Sequence, residues 1–103
     1  MKMKTSELTG FDLNKAVEKA NNIGHPWRYY GQAFPNYCNE WKDGGPIIER
    51  ERIELKGSAV NTSWSASPSI HSENWDWNIS GPTPLIAAMR CYVASKLGDE
   101  VEI

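Results

Sequence analysis

Gly81-Pro82-Thr83-Pro84, running straight into Leu85-Ile86-Ala87-Ala88-Met89-Arg90-Cys91-Tyr92-Val93-Ala94-Ser95-Lys96-Leu97-Gly98, spells a helix with both ends marked. Thr83 is a residue that caps a first turn, and Pro84 suits the first helical position, where a missing N–H would be unpaired anyway. Gly98 supplies the left-handed conformation that stops a helix, and Lys96 stands in the last turn, where the dipole favours a cation. Leu85, Ile86, Met89, Val93 and Leu97 form the expected core stripe. A helix start behind a Gly-Pro turn also presents N–H groups suited to an anion, aided by the Thr83 hydroxyl. The bland reading of Thr83 is a helix cap alone.

Around this helix the chain reads as one small domain over residues 1–103. Residues 3–5 read as a short opening strand. Thr9-Gly10-Phe11-Asp12 opens a second helix, with Leu13, Ala16, Val17 and Ala20 on its apolar side and Asn14, Lys15, Glu18 and Lys19 on its polar side. Pro46 to Glu51 reads as a helical turn or a strand entry. Ile53 and Leu55 alternate with charged residues, Gly57-Ser58 signals a turn, and a second strand follows, so 52–66 reads as an antiparallel pair. Trp75-Asp76-Trp77-Asn78-Ile79 alternates and reads as a further strand or a lead-in to the last helix. The acidic tail 99–102 complements the basic start 1–4 across a strand pair. The expected class is α+β, a small antiparallel sheet with two main helices on one face.

Between Gly24 and Gly45 neither period is visible, yet six of the chain's eleven aromatic residues fall there: Trp27, Tyr29, Tyr30, Phe34, Tyr37 and Trp41. A disordered linker is poor in aromatics, and a long ordered loop in a small domain is usually functional. The expectation is a long aromatic-rich loop folded over a pocket or over the sheet.

Composition narrows the function. A net charge of −2 argues against a partner as extended as a nucleic acid. No apolar run is long enough for a membrane span. Residues 1–5 lack the apolar core of a signal peptide, so the expected setting is cytoplasmic and Cys38 and Cys91 are expected as reduced thiols. The two cysteines fit no metal spacing, and no cofactor is implied. His25, His71 and Cys38, as a nucleophile with its base, would make a small nucleotide hydrolase, but no spacing demands it.

Three segments resemble a known family. They are Lys4-Thr5-Ser6-Glu7-Leu8-Thr9-Gly10, then Gly44-Gly45-Pro46-Ile47-Ile48-Glu49-Arg50-Glu51, and the stretch from Gly81 through Arg90 and on from Ser95 to Val101. Together they look like the NinX-like proteins of lambda-type phages and prophages. The resemblance implies a phage origin and the host cytoplasm. It implies no reaction.

The remaining candidates are a binding set. Gly44 and Gly45 let backbone approach a ligand closely, and Arg50, four residues after Pro46, suits a phosphate or carboxylate. Trp27 with Arg28, or Tyr37 with Trp41, would make a stacking platform for a base. Against this, the glycines also suit a tight turn, Arg50 a surface ion pair, and the aromatic rings a small core. The leading expectation is a non-enzymatic binder that sequesters a small anionic nucleotide-like ligand, such as a host immune signal, in a homo-oligomer. The alternative is a protein-interaction module acting on a host factor.

Overall fold

The computed structural model of the chain describes residues 2–21, 35–58, 63–68 and 79–102. In chain order these form β1 (Lys2–Lys4), a 3-10 turn (Thr5–Glu7), α1 (Gly10–Asn21), α2 (Trp41–Glu51), β2 (Ile53–Gly57), β3 (Trp64–Pro68), β4 (Ile79–Gly81), α3 (Pro84–Leu97) and β5 (Glu100–Glu102). The class is α+β. Instead of two helices on one sheet, three helices pack with two antiparallel sheets, β1-β5 and β2-β3-β4.

The helix α3 begins and ends as its sequence requires. The Thr83 hydroxyl accepts the Ile86 N–H at 3.1 Å, and the Gly98 N–H, at φ +91°, donates to the Ala94 carbonyl at 3.0 Å. Its burial goes beyond a stripe. Leu85 and every residue from Ala87 to Ala94 are buried, whereas Ile86 and Leu97 of the expected stripe are only partly so. Ala87, Ala88, Cys91 and Ala94 are small enough for neighbours to approach from all sides, as in a helix that is apolar all round. The β2-β3-β4 sheet, α1 and α2 pack against it.

The two ends of the chain meet as their charges suggest. Lys2 faces Glu102, Met3 faces Val101 and Lys4 faces Glu100. Buried Thr5 extends the pairing, donating its N–H to the Asp99 carbonyl at 2.8 Å and its hydroxyl to the Gly98 carbonyl at 2.7 Å. The expected pair over 52–66 forms between β2 and β3, with Ile53 opposite Pro68 and Gly57 opposite Trp64. Of the lead-in at 75–79, Ile79 opens β4 and the rest lies outside the described residues.

Two expectations change. Residues 41–45, read as loop, are the first half of α2. Gly44-Gly45-Pro46 is a poor helical sequence, but packing overrides propensity here. A Cβ on Gly44 would stand 2.4 Å from the Tyr37 carbonyl oxygen and 2.8 Å from Leu85 Cδ2, so glycine is what lets α2 dock. Second, Asn14 and Glu18 of the expected polar face of α1 are buried, because residues 35–38 cross that face. The Asn14 Oδ1 accepts the Cys38 N–H at 3.0 Å and its Nδ2 donates to Asn36 Oδ1 at 3.0 Å.

A cation completes the core. Arg90, only 8% exposed, donates from Nε to the Leu8 carbonyl at 2.8 Å and from Nη1 to the Ser80 carbonyl at 2.9 Å. It thereby ties the entry of α1 and strand β4 to α3. Desolvation lowers its pKa from the usual arginine value, and the Glu7 carboxylate opposes that shift.

Removing this tie strands two carbonyls. We expect Arg90→Met to lower stability by about 2–4 kcal/mol in urea denaturation, the range for a buried charged group's broken hydrogen bonds. An unchanged midpoint would contradict the role given to Arg90.

Candidate functional site

Three helices converge on a polar junction. Asn21 ends α1, Arg50 and Glu51 lie in the last turn of α2, and Tyr92 faces them from α3. Tyr37 reaches in from the segment between α1 and α2. The hydrogen bonds run in one direction. Arg50 Nη2 donates to Tyr92 Oη at 3.0 Å and to Asn21 Oδ1 at 3.2 Å. The Tyr92 hydroxyl donates to Asn21 Oδ1 at 2.7 Å. Asn21 Nδ2 donates to Tyr37 Oη at 3.4 Å, and the Tyr37 hydroxyl donates to Glu18 Oε2 at 2.5 Å. A surface guanidinium is thus linked, donor to acceptor, with a carboxylate that is 3% exposed.

The side chain of Arg50 is 55% exposed, yet its head is fixed. It lies over the Tyr92 ring, 5.7 Å from the centroid, and its Nε meets Glu51 Oε2 at 3.0 Å. Lys96 approaches the other Glu51 oxygen at 3.3 Å. Burial pushes the Tyr92 hydroxyl above its ordinary pKa, with the charge of Arg50 pulling the other way, so it stays protonated and donates. Burial also works to raise the Glu51 carboxyl, but the hydrogen bonds from Arg50 and Lys96 win and hold it below the usual carboxylate value.

The sequence candidates separate. Tyr37 and Arg50 join the same junction through Asn21. Trp41 and Thr83 meet elsewhere, in a cleft of about 180 Å³ shared with Cys38, Asn39, Pro84 and Leu85. Trp41 is 55% exposed there, and the Thr83 hydroxyl serves the cap. Gly44 is buried under the Tyr37 carbonyl, Gly45 lies beside the Trp41 ring, and Pro46 is exposed on α2. Trp27 and Arg28 lie outside the described residues, as do His25 and His71. Sequence reasoning missed Asn21, read only as a helix stop, and Tyr92, one aromatic within an alanine-rich helix. It also missed Glu18, placed on the polar face of α1.

Cys38 is buried, its Sγ 3.6 Å from the Gly10 carbonyl, and burial raises its pKa. Burial pushes Cys91 up to about 12. A thiol of raised pKa is a poor nucleophile at neutral pH. Among the described residues no His/Cys/Asp/Glu group could hold a metal ion, and no helix is long and apolar enough to cross a membrane.

Two expectations test these assignments. Gly44→Ala is expected to destabilise the fold by about 1–3 kcal/mol through overpacking against backbone. A variant as stable as the parent in thermal unfolding would release Gly44 for a ligand role. The depressed Glu51 carboxyl supplies stability above its unfolded pKa and loses it as pH falls through the lower folded value. Its exposed partners keep this below about 1 kcal/mol. Glu51→Gln is therefore expected to flatten the acid limb of the stability curve, and an unaltered limb would contradict the bridge.

No curated protein gives a significant match. The family model described as bacteriophage P22 NinX matches residues 4–96, which takes in every described element except β5, the start of β1 and the last residue of α3. The chain belongs to the bacteriophage P22 NinX family.

Proposed function

We propose that this phage-family protein is a non-catalytic binder of a small anion bearing a flat ring, a nucleotide or nucleotide-derived signal, with Arg50 as the anion contact. One observation carries the reading. The Arg50 guanidinium is oriented by Asn21 and Tyr92 while more than half of its side chain faces solvent. Fixing a guanidinium beforehand reduces what a ligand loses in ordering it. A phosphate competes with Glu51 for Nε and gains charge-assisted bonds.

The adjacent chain supplies ring chemistry by sequence. Trp27 and Arg28 lie outside the described residues and are assigned to the ligand from the sequence alone. Stacking on such rings contributes about 1–3 kcal/mol per base. Sequestering a host signal in the host cytoplasm, as a homo-oligomer, is the role we assign to such a binder.

Calorimetric titration with linear and cyclic nucleotides tests this. A member of the panel is expected to bind, and Arg50→Gln to weaken it about tenfold or more, the worth of a charged hydrogen bond. Failure of every nucleotide to bind tighter than about 1 mM, roughly −4 kcal/mol, would overturn the proposal.

A second reading, docking onto a host protein, is favoured by two exposed rings, Phe11 at 62% and Trp41 at 55%. It expects flat nucleotide titrations and a host partner whose capture is lost in Trp41→Ala.

A further inference from the structure

Strand β2 has a side that its neighbour does not use. Among the described residues it pairs with β3 alone. The Ser58 N–H donates to the Ser63 carbonyl at 3.1 Å, and antiparallel bonding alternates, so Lys56 and Glu54 exchange bonds with β3. The N–H and C=O groups of Ile53, Leu55 and Gly57 therefore point away from β3, along the outer edge. Side chains alternate the other way. Buried Ile53 and half-buried Leu55 face the core, while Glu54 and Lys56 are exposed on the outer face.

The exposed face beside this edge is open as well. A hollow of about 970 Å³ is lined by every residue from 54 to 58 together with Ser65 and Ser67. Ser67 and Ser65 stand opposite Glu54 and Lys56, so it lies over the exposed face of the β2-β3 pair and leaves the outer edge of β2 to be judged from its backbone and its charges. An extended segment laid along the outer edge would pair with the outward groups of Ile53, Leu55 and Gly57 as an added strand.

The charges choose the occupant. In an antiparallel pairing of two β2 strands about a two-fold axis through Leu55, Leu55 faces the partner's Leu55, and Ile53 faces the partner's Gly57. In that register Glu54 faces the partner's Lys56, and Lys56 faces the partner's Glu54. Both charged pairs are opposite in sign, on the exposed face, and satisfied at once by one symmetric contact. An edge strand carrying charge usually resists pairing. Here the order Glu-Leu-Lys makes the strand complementary to its own reversed copy.

We propose that β2 is a dimerisation edge at which a second copy of this chain adds its own β2 antiparallel, joining two three-stranded sheets into one of six. The proposal stands apart from the ligand assigned to Arg50 and does not need it.

Charge swaps test it. Sedimentation or light scattering of the parent over a micromolar concentration series is expected to show a monomer–dimer equilibrium. Glu54→Lys sets lysine against lysine and Lys56→Glu sets glutamate against glutamate, so each alone is expected to weaken the dimer by about tenfold or more. An equimolar mixture of the two single variants restores both opposite pairs and is expected to recover the dimer, as is the double variant E54K/K56E. Recovery on mixing also shows that each variant is folded. A parent that stays monomeric throughout, single variants that dimerise like the parent, or a mixture that fails to recover would each overturn the proposal.

Discussion

The burial of α3 on all sides is the constraint on which the molecule is built. A helix enclosed from Ala87 to Ala94 leaves no solvent face for charge, and small residues must alternate with large ones so that a sheet and two helices can reach it. Two polar groups enter this helix nonetheless, and each has a defined partner set. Arg90 holds the carbonyls of Leu8 and Ser80, and Tyr92 lies against Asn21 and Arg50. A buried polar group is tolerated only when so satisfied. Both therefore fix where α1, α2 and β4 sit.

The polar junction inherits its geometry from that packing. Arg50 is on a helix that docks only because Gly44 lets its backbone meet Tyr37, and Tyr37 in turn is held by Glu18 and Asn21. A change in how α2 packs would move the guanidinium and the tyrosine together. The two cysteines are buried, and burial raises the pKa of both.

Much of the fold was legible because the signals were local. The cap, the proline and the glycine of α3 each act within one turn, and the pairing of residues 2–4 with 100–102 was readable from opposite charges. The first half of α2 was not legible, because Gly44-Gly45-Pro46 argues against a helix and only contact with Tyr37 and Leu85 outweighs it. The stripe expected on α3 fell short for a related reason. Alanines read as neutral until the neighbours that press on them are known. At the site, Arg50 and Tyr37 stood out by residue type. Asn21, Tyr92 and Glu18 did not, since a hydrogen bond between residues 71 apart leaves no mark on the sequence around either of them.

Native-state hydrogen exchange most directly tests whether α3 is the post around which the rest is assembled. The amides of Met89 to Ala94 are expected to exchange only through global unfolding, with protection equal to the stability from denaturant titration, and the strand and terminal amides to exchange earlier. Local opening of α3 while β2 and β3 stay protected would contradict it.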